Sequence, residues 1–178
     1  EAIKKEIGTP VSEGYGLTET SPLTHFNISP FSKVTGFIPK EKTGMGIPSP
    51  DTECKLVDQD SGQEVPFGEP GEVVVRGPQI MKGYWPEAGS GLTADGWLHT
   101  GDLATVDEEG YFRITGRLKD MVIRGGENIY PREVEERLLS HPAVQDAVLV
   151  GLADDALGEA LCACIVPVEG AIVDGQEI

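Results

Sequence analysis

Positive charge is scarce in this chain: 14 lysines and arginines stand against 30 aspartates and glutamates in 178 residues, a formal net charge of −16. So acidic a surface repels phosphate backbones, which argues against nucleic acid as a partner. Any anionic ligand is restricted to a spot where backbone N–H groups and a few cations converge. Cysteine is scarce too. There are three, an odd number, and Cys162 and Cys164 alternate through the apolar run Leu161–Val168, where they read as small reduced hydrophobes rather than a disulfide frame. No further Cys or His stands at a spacing that would complete a metal site, and the compartment expected from this usage is cytoplasmic. Long hydrophobic runs are lacking: the longest, Ala147–Ala153, is interrupted by Gly151 and is far too short for a transmembrane segment. Residues Glu1–Glu6 have no apolar stretch like a signal peptide. The chain also has no initiator Met and opens mid-pattern, which reads as a piece of a longer protein.

What is present is an ordinary globular composition, 39% hydrophobic and 25% charged, enough for one moderate domain or two small ones. Residues 8–42 are rich in Gly, Pro, Ser and Thr, and read as short strands joined by loops. From Gly44 to Arg117 strands dominate: Glu53–Val57, Gly71–Arg76 and Tyr111–Thr115, separated by Gly/Pro/Asp clusters. After Lys119 the character changes. Met121–Arg124 reads as a brief strand, Pro131 as the first residue of a helix, and Val134, Leu138 and Leu139 as its apolar face, with Glu133, Glu135, Glu136 and Arg137 wet. His141-Pro142 stops it. Two apolar strands follow, Ala147–Val150 and Leu161–Val168. The fold class expected is α+β and strand-rich, with a small distorted β-barrel or bent antiparallel subdomain at about 43–118. A compact α+β C-terminal domain over 119–178 follows, its last elements cut off.

Residues 100–132 carry the densest chemistry. Asp102 and Arg117 flank the turn Asp107–Gly110, whose glycine supplies the positive φ of a short hairpin connection. If strands 102–107 and 111–117 pair about that turn, Asp102 falls opposite Arg117. A carboxylate accepting from two vicinal hydroxyls beside a guanidinium donating to them suits a ribose; an ordinary cross-strand ion pair is the bland alternative. Upstream, Glu13-Gly14-Tyr15-Gly16-Leu17-Thr18-Glu19-Thr20 sets two glycines that allow close approach to a flat ligand, a stacking ring, a hydroxyl and a carboxylate. Beside phosphates, that carboxylate makes sense as a Mg²⁺ ligand; as bare chemistry the stretch is a tight turn with solvated polar groups. Thr43–Pro48 and Gly71–Trp85 read as turns and core strands. In Asp95–Asp102, His99 has no nucleophile near it in sequence and is taken as structural or rim. Gly125-Gly126 lacks the Lys-Ser/Thr of a phosphate loop and reads as a tight bulge or a place for a thin ligand.

In this order and spacing the segments resemble the adenylate-forming (AMP-binding) superfamily, most closely its acyl-CoA synthetases, the fatty-acid–CoA ligases, over nearly the whole chain. The resemblance implies that residues 1–118 end a large domain and that 119–178 begin a small mobile one, with the hinge at Lys119. It implies ATP, Mg²⁺ and coenzyme A as cofactors, with Gly14, Tyr15 and Gly16 at the nucleotide. Tyr15 would stack on adenine, Thr18 would contact the α-phosphate, Glu19 would hold Mg²⁺, Asp102 and Arg117 would hold the ribose, and Gly125 and Gly126 would line the passage for coenzyme A. The implied reaction forms an acyl-adenylate and pyrophosphate, then a thioester and AMP, on a small carboxylic acid read as a fatty acid; a homodimer is left open. The upstream phosphate loop and the C-terminal catalytic lysine of that family are not found here, so the chain alone is expected to fold without turning over. Two other readings stay open: an adenylation domain that loads a carrier protein, and a non-catalytic interaction module that kept the fold.

Overall fold

A computed structural model describes residues 11–28 and 42–171, in two compact units that divide between Ile114 and Thr115. Among the described residues no helix is long and apolar enough to cross a membrane.

In the first unit three short strands, β1 (Gly14–Tyr15), β2 (His25–Phe26) and β3 (Ile47–Pro48), form one antiparallel sheet in that order. Strands β4 (Glu53–Val57), β5 (Gly71–Arg76), β6 (Leu98–Val106) and β7 (Phe112–Arg117) form a second, with order β4-β5-β6-β7. β5 is the spine of the unit: Val73, Val74 and Val75 are buried to 1% or less. β-branched residues fit a pleated surface covered on both faces, and each valine so buried contributes about 1.5–3 kcal/mol of apolar transfer. Val73 and Val75 join Met45, Leu56, Leu98, Ala104 and Phe112 in one core cluster, with Tyr15 and Leu17 at its margin. At the entrance to β6, the Trp97 ring lies 4.5 Å from the Lys55 ammonium and 4.7 Å from the Arg76 guanidinium. Trp85, by contrast, is 95% exposed.

The expected distorted barrel is not formed. Among the described residues neither sheet closes, and the smaller one meets β7 through the single bridge Gly46–Phe112. Closure needs a hydrogen-bonded register carried all the way round, which one bridge cannot supply. The hairpin turn also differs from expectation. The Asp107 N–H donates to the Tyr111 carbonyl at 3.1 Å and the Gly110 N–H to the Asp107 carbonyl at 2.9 Å, while the Asp107 carboxylate accepts the Glu109 and Tyr111 N–H groups. With Gly110 at φ +79°, this is a type I turn followed by a left-handed glycine. It centres the hairpin on Glu109, one position short of the alignment that sets 102 opposite 117.

The second unit holds the sheet β10-β11-β8-β9, with β8 at Val122–Arg124, β9 at Glu127–Ile129, β10 at Val144–Asp154 and β11 at Gly158–Pro167. Helix α1, Pro131–Leu139, starts at its proline as expected and packs on β10. Glu135 is not on a wet face: its carboxylate accepts the Leu149 N–H at 2.8 Å. Strand β9 escaped the sequence reading because three residues carry no alternation to detect.

Candidate active site

Tyr15 is set by β1, which pairs it with His25 on β2. Between these strands the chain reverses through a 3-10 turn, Thr18–Thr20. The fully buried Thr20 hydroxyl closes it, accepting the Leu17 N–H at 2.7 Å with the Leu17 and Pro22 carbonyls 2.9 and 3.0 Å away. Gly16 makes the reversal possible. A Cβ there would sit 1.5 Å from the Pro22 carbonyl oxygen, so the space beside this glycine is filled by the chain's own backbone. Gly14 is less constrained: its missing Cβ would lie 2.9 Å from a methyl of the exposed Leu23 side chain, which can move aside. With Thr20 tucked in, Thr18 is left exposed and Glu19 half-buried at the surface of the turn.

Two contacts tie this turn to distant sequence. The Tyr15 hydroxyl donates to Asp102 Oδ2 at 2.7 Å, bringing together two residues singled out from sequence. Burial above all, helped by the Asp102 carboxylate, holds the Tyr15 phenol well above its usual range, so it keeps its proton and remains a donor. The second contact is from Tyr84, whose hydroxyl donates to Glu19 Oε1 at 2.7 Å, while the Met81 N–H donates to the Glu19 carbonyl at 2.8 Å. The Tyr84 bond lowers the Glu19 pKa from its ordinary 4.5, keeping the carboxylate ionised and a hard oxygen donor. Among the described residues no cluster of three His, Cys, Asp or Glu could hold a metal alone. One carboxylate, completed by phosphate oxygens and water, is nonetheless a donor set that fits Mg²⁺.

Several polar residues here were not legible as functional. His25 is fully buried, with its Nδ1 2.9 Å from the Thr24 hydroxyl and its ring centre 5.8 Å from Tyr15 and 4.9 Å from Phe112. Burial pushes its pKa down to about 4. Glu72, 7% exposed, binds the Gly101 N–H and His99 beside Asp102, which is itself 5% exposed. The available signal was a lone carboxylate between Gly71 and three valines. His99, taken as structural or rim, is exposed and pairs with Glu72.

β7 runs past the division between the units and ends at Arg117, which is exposed; Lys119 is exposed in the 3-10 turn Leu118–Asp120. Gly125 and Gly126, at φ +62° and +88°, make the two-residue turn of the β8–β9 hairpin, Arg124 opposite Glu127. This is the doubly left-handed geometry that glycine pairs favour. The Gly125 N–H donates to the Leu157 carbonyl at 2.8 Å, and the Ile123 N–H to Glu159 Oε2 at 2.6 Å. A Cβ on Gly126 would meet nothing within 4 Å; conformation, not crowding, asks for glycine there.

Comparison with known proteins gives the family. Residues 1–85 match the AMP-binding enzyme family and residues 133–178 the AMP-binding enzyme C-terminal domain. A long-chain-fatty-acid–CoA ligase of Bacillus subtilis (strain 168) is 44% identical over 181 residues, covering 100% of this chain and 31% of that protein. A feruloyl-CoA synthase of an Amycolatopsis species is 44% identical over 178 residues, covering 96% of this chain and 34% of its own length. The chain thus spans about a third of these relatives. Among solved structures, ATP-bound MatB from Rhodopseudomonas palustris superposes with a TM-score of 0.83 at 35% identity, over 94% of this chain and 32% of that one. The chain belongs to the AMP-binding, adenylate-forming superfamily of enzymes.

Proposed function

We propose that this chain belongs to an ATP-dependent carboxylate–CoA ligase that forms an acyl-adenylate and then a CoA thioester, on a fatty acid. The observation that carries the reading is the buried Asp102 carboxylate held by the Tyr15 hydroxyl, in a chain that resembles such ligases along its whole length. A carboxylate is acceptor only, so Asp102 takes hydrogen bonds from ribose hydroxyls. Tyr15 orients Asp102 and offers a ring face to adenine, and Thr18 lies exposed for the α-phosphate. Glu19 holds Mg²⁺, which when bound supplies charge stabilisation on the phosphoryl oxygens. Arg117 at the ribose and Lys119 as the pivot of the small domain are carried by the resemblance alone. Gly125 and Gly126 suit the thin arm of coenzyme A because their turn presents no side chain. Adenine stacking and the domain hinge are part of the same proposal.

The test uses an intact ligase carrying these residues, assayed by ATP–pyrophosphate exchange and thioester formation against fatty, aryl and amino acids. Fatty-acyl dependence supports the reading, and feruloyl dependence moves the substrate to the aryl acids. Aminoacyl dependence without CoA consumption overturns it in favour of carrier loading. In that protein Asp102→Ala is expected to weaken ATP binding by about 1–3 kcal/mol, the loss of a charged hydrogen-bond acceptor; unchanged nucleotide affinity removes Asp102 from the site. The isolated chain, spanning a third of its relatives, is expected to be silent in the exchange assay.

A further inference from the structure

Asp102 is not held by a regular ladder. Across β5 and β6, Glu72 stands opposite Leu103 and Val74 opposite His99, so β6 spends Thr100, Gly101 and Asp102 where β5 has Val73 alone. Such a bulge re-aims the side chains that follow it, and the backbone groups it frees need other partners. Two side chains supply them. The Thr100 hydroxyl donates to the Val73 carbonyl at 2.8 Å and accepts the Asp102 N–H at 3.1 Å. The Glu72 carboxylate accepts the Gly101 N–H on Oε1 at 3.0 Å, and its Oε2 lies 2.7 Å from His99 Nδ1. Gly101 sits at φ +73°, the left-handed conformation that lets its N–H turn toward Glu72. A carboxylate 7% exposed is costly to bury unless its oxygens are occupied, and both are.

We propose that Glu72 is a positioning residue for nucleotide binding: by gripping the residues on either side of Thr100, it fixes the bulge that aims Asp102 at the ribose. This rests on the assignment of Asp102 to the ribose hydroxyls. A carboxylate that only stabilised the sheet would need no partner in the bulge. Glu72 instead takes the N–H immediately before Asp102, while the bulge takes the N–H of Asp102 itself. Tyr15 then holds the carboxylate from β1, so Glu72 locates the backbone and Tyr15 the side chain.

The experiment compares equilibrium affinities for ATP and 2′,3′-dideoxy-ATP in the intact ligase. Glu72→Ala is expected to weaken ATP binding about tenfold, the loss of one charged hydrogen bond, while leaving the dideoxy nucleotide within about twofold, since the hydroxyls Asp102 serves are already missing. Asp102→Ala should show the same selectivity, and the double variant should be no worse than Asp102→Ala alone, because the two act through one contact. Glu72→Gln, which keeps an acceptor for the Gly101 N–H, should restore ATP affinity. If Glu72→Ala does not fold, Glu72→Asp retains the charge but withdraws it by one methylene, and a loss confined to ATP is again expected. Equal weakening of both nucleotides, or additivity with Asp102→Ala, overturns the assignment of Glu72 alone. If Asp102→Ala itself fails to distinguish the nucleotides, the ribose reading falls and this inference with it.

Discussion

The segment around Tyr15 and Asp102 and the tip at Gly125–Gly126 are both glycine-rich, yet opposite in construction. In the first, groups far apart in sequence lock together: Tyr15 to Asp102 and Glu72 to the Gly101 N–H in partly buried settings, and Tyr84 to Glu19 at the surface. In the second, the backbone does the work, through a two-residue turn and the Leu157 carbonyl. Gly16 is a glycine because there is no room, and Gly126 because of its dihedral angle. On the function proposed above, the contrast has a use: a nucleotide site needs fixed acceptors, which packing provides, and a passage for a thin ligand needs only an unobstructed backbone.

The sharpest way to break that contrast is Gly16→Ala. A methyl 1.5 Å from a backbone oxygen cannot be relieved by a rotamer change, so the β1–β2 reversal must open, with an expected loss of roughly 3–5 kcal/mol. A urea-unfolding midpoint within experimental error of the parent would show that the reversal is far softer than its packing indicates.

The next effect is set by acid. His25 titrates near 4 rather than 6.5 because burial disfavours the imidazolium. As pH falls, the unfolded chain therefore takes up this proton before the folded one. Stability from His25 is fully present above about pH 6.5, declines between there and about pH 4, and is gone below, for about 3 kcal/mol in all. His25→Asn should flatten that part of the curve, while carboxylates act on both proteins alike. Parallel curves for the two would locate the sensitivity elsewhere.

The smallest effect belongs to the tip. Gly126→Ala meets nothing in space and loses only by adopting a left-handed φ, which costs about 1–2 kcal/mol; Gly126→Asn should lose less. If alanine at 126 proved as damaging as at 16, conformation and crowding would not separate the regions as drawn.

Much of the scaffold was readable along the chain. The three valines of β5, the hairpin glycine at 110 and the proline opening α1 each announce a local requirement. The Tyr15–Asp102 bond was not readable: each residue stood out by itself, but 87 positions separate them and no local pattern joins them. That the strands leave their sheets open rather than closed into a barrel was not readable, because edge pairing depends on partners that no local pattern names. The hairpin centre moved by one residue because Asp107 spends its carboxylate on the turn, a side-chain choice that period counting does not register. Glu72 and His25 were passed over since polar residues in or beside strands normally mark the wet face. Burial, which reversed that reading, exists only once sheets pack.

The indole clasped between Lys55 and Arg76 gives the molecule an optical asymmetry. Of its two tryptophans, Trp85 is 95% exposed, while Trp97 lies against both cations, whose charges the Glu53 and Asp95 carboxylates offset. A neutral quencher will therefore silence Trp85 first. The emission that survives it reports on the loop feeding β6, and through it Asp102.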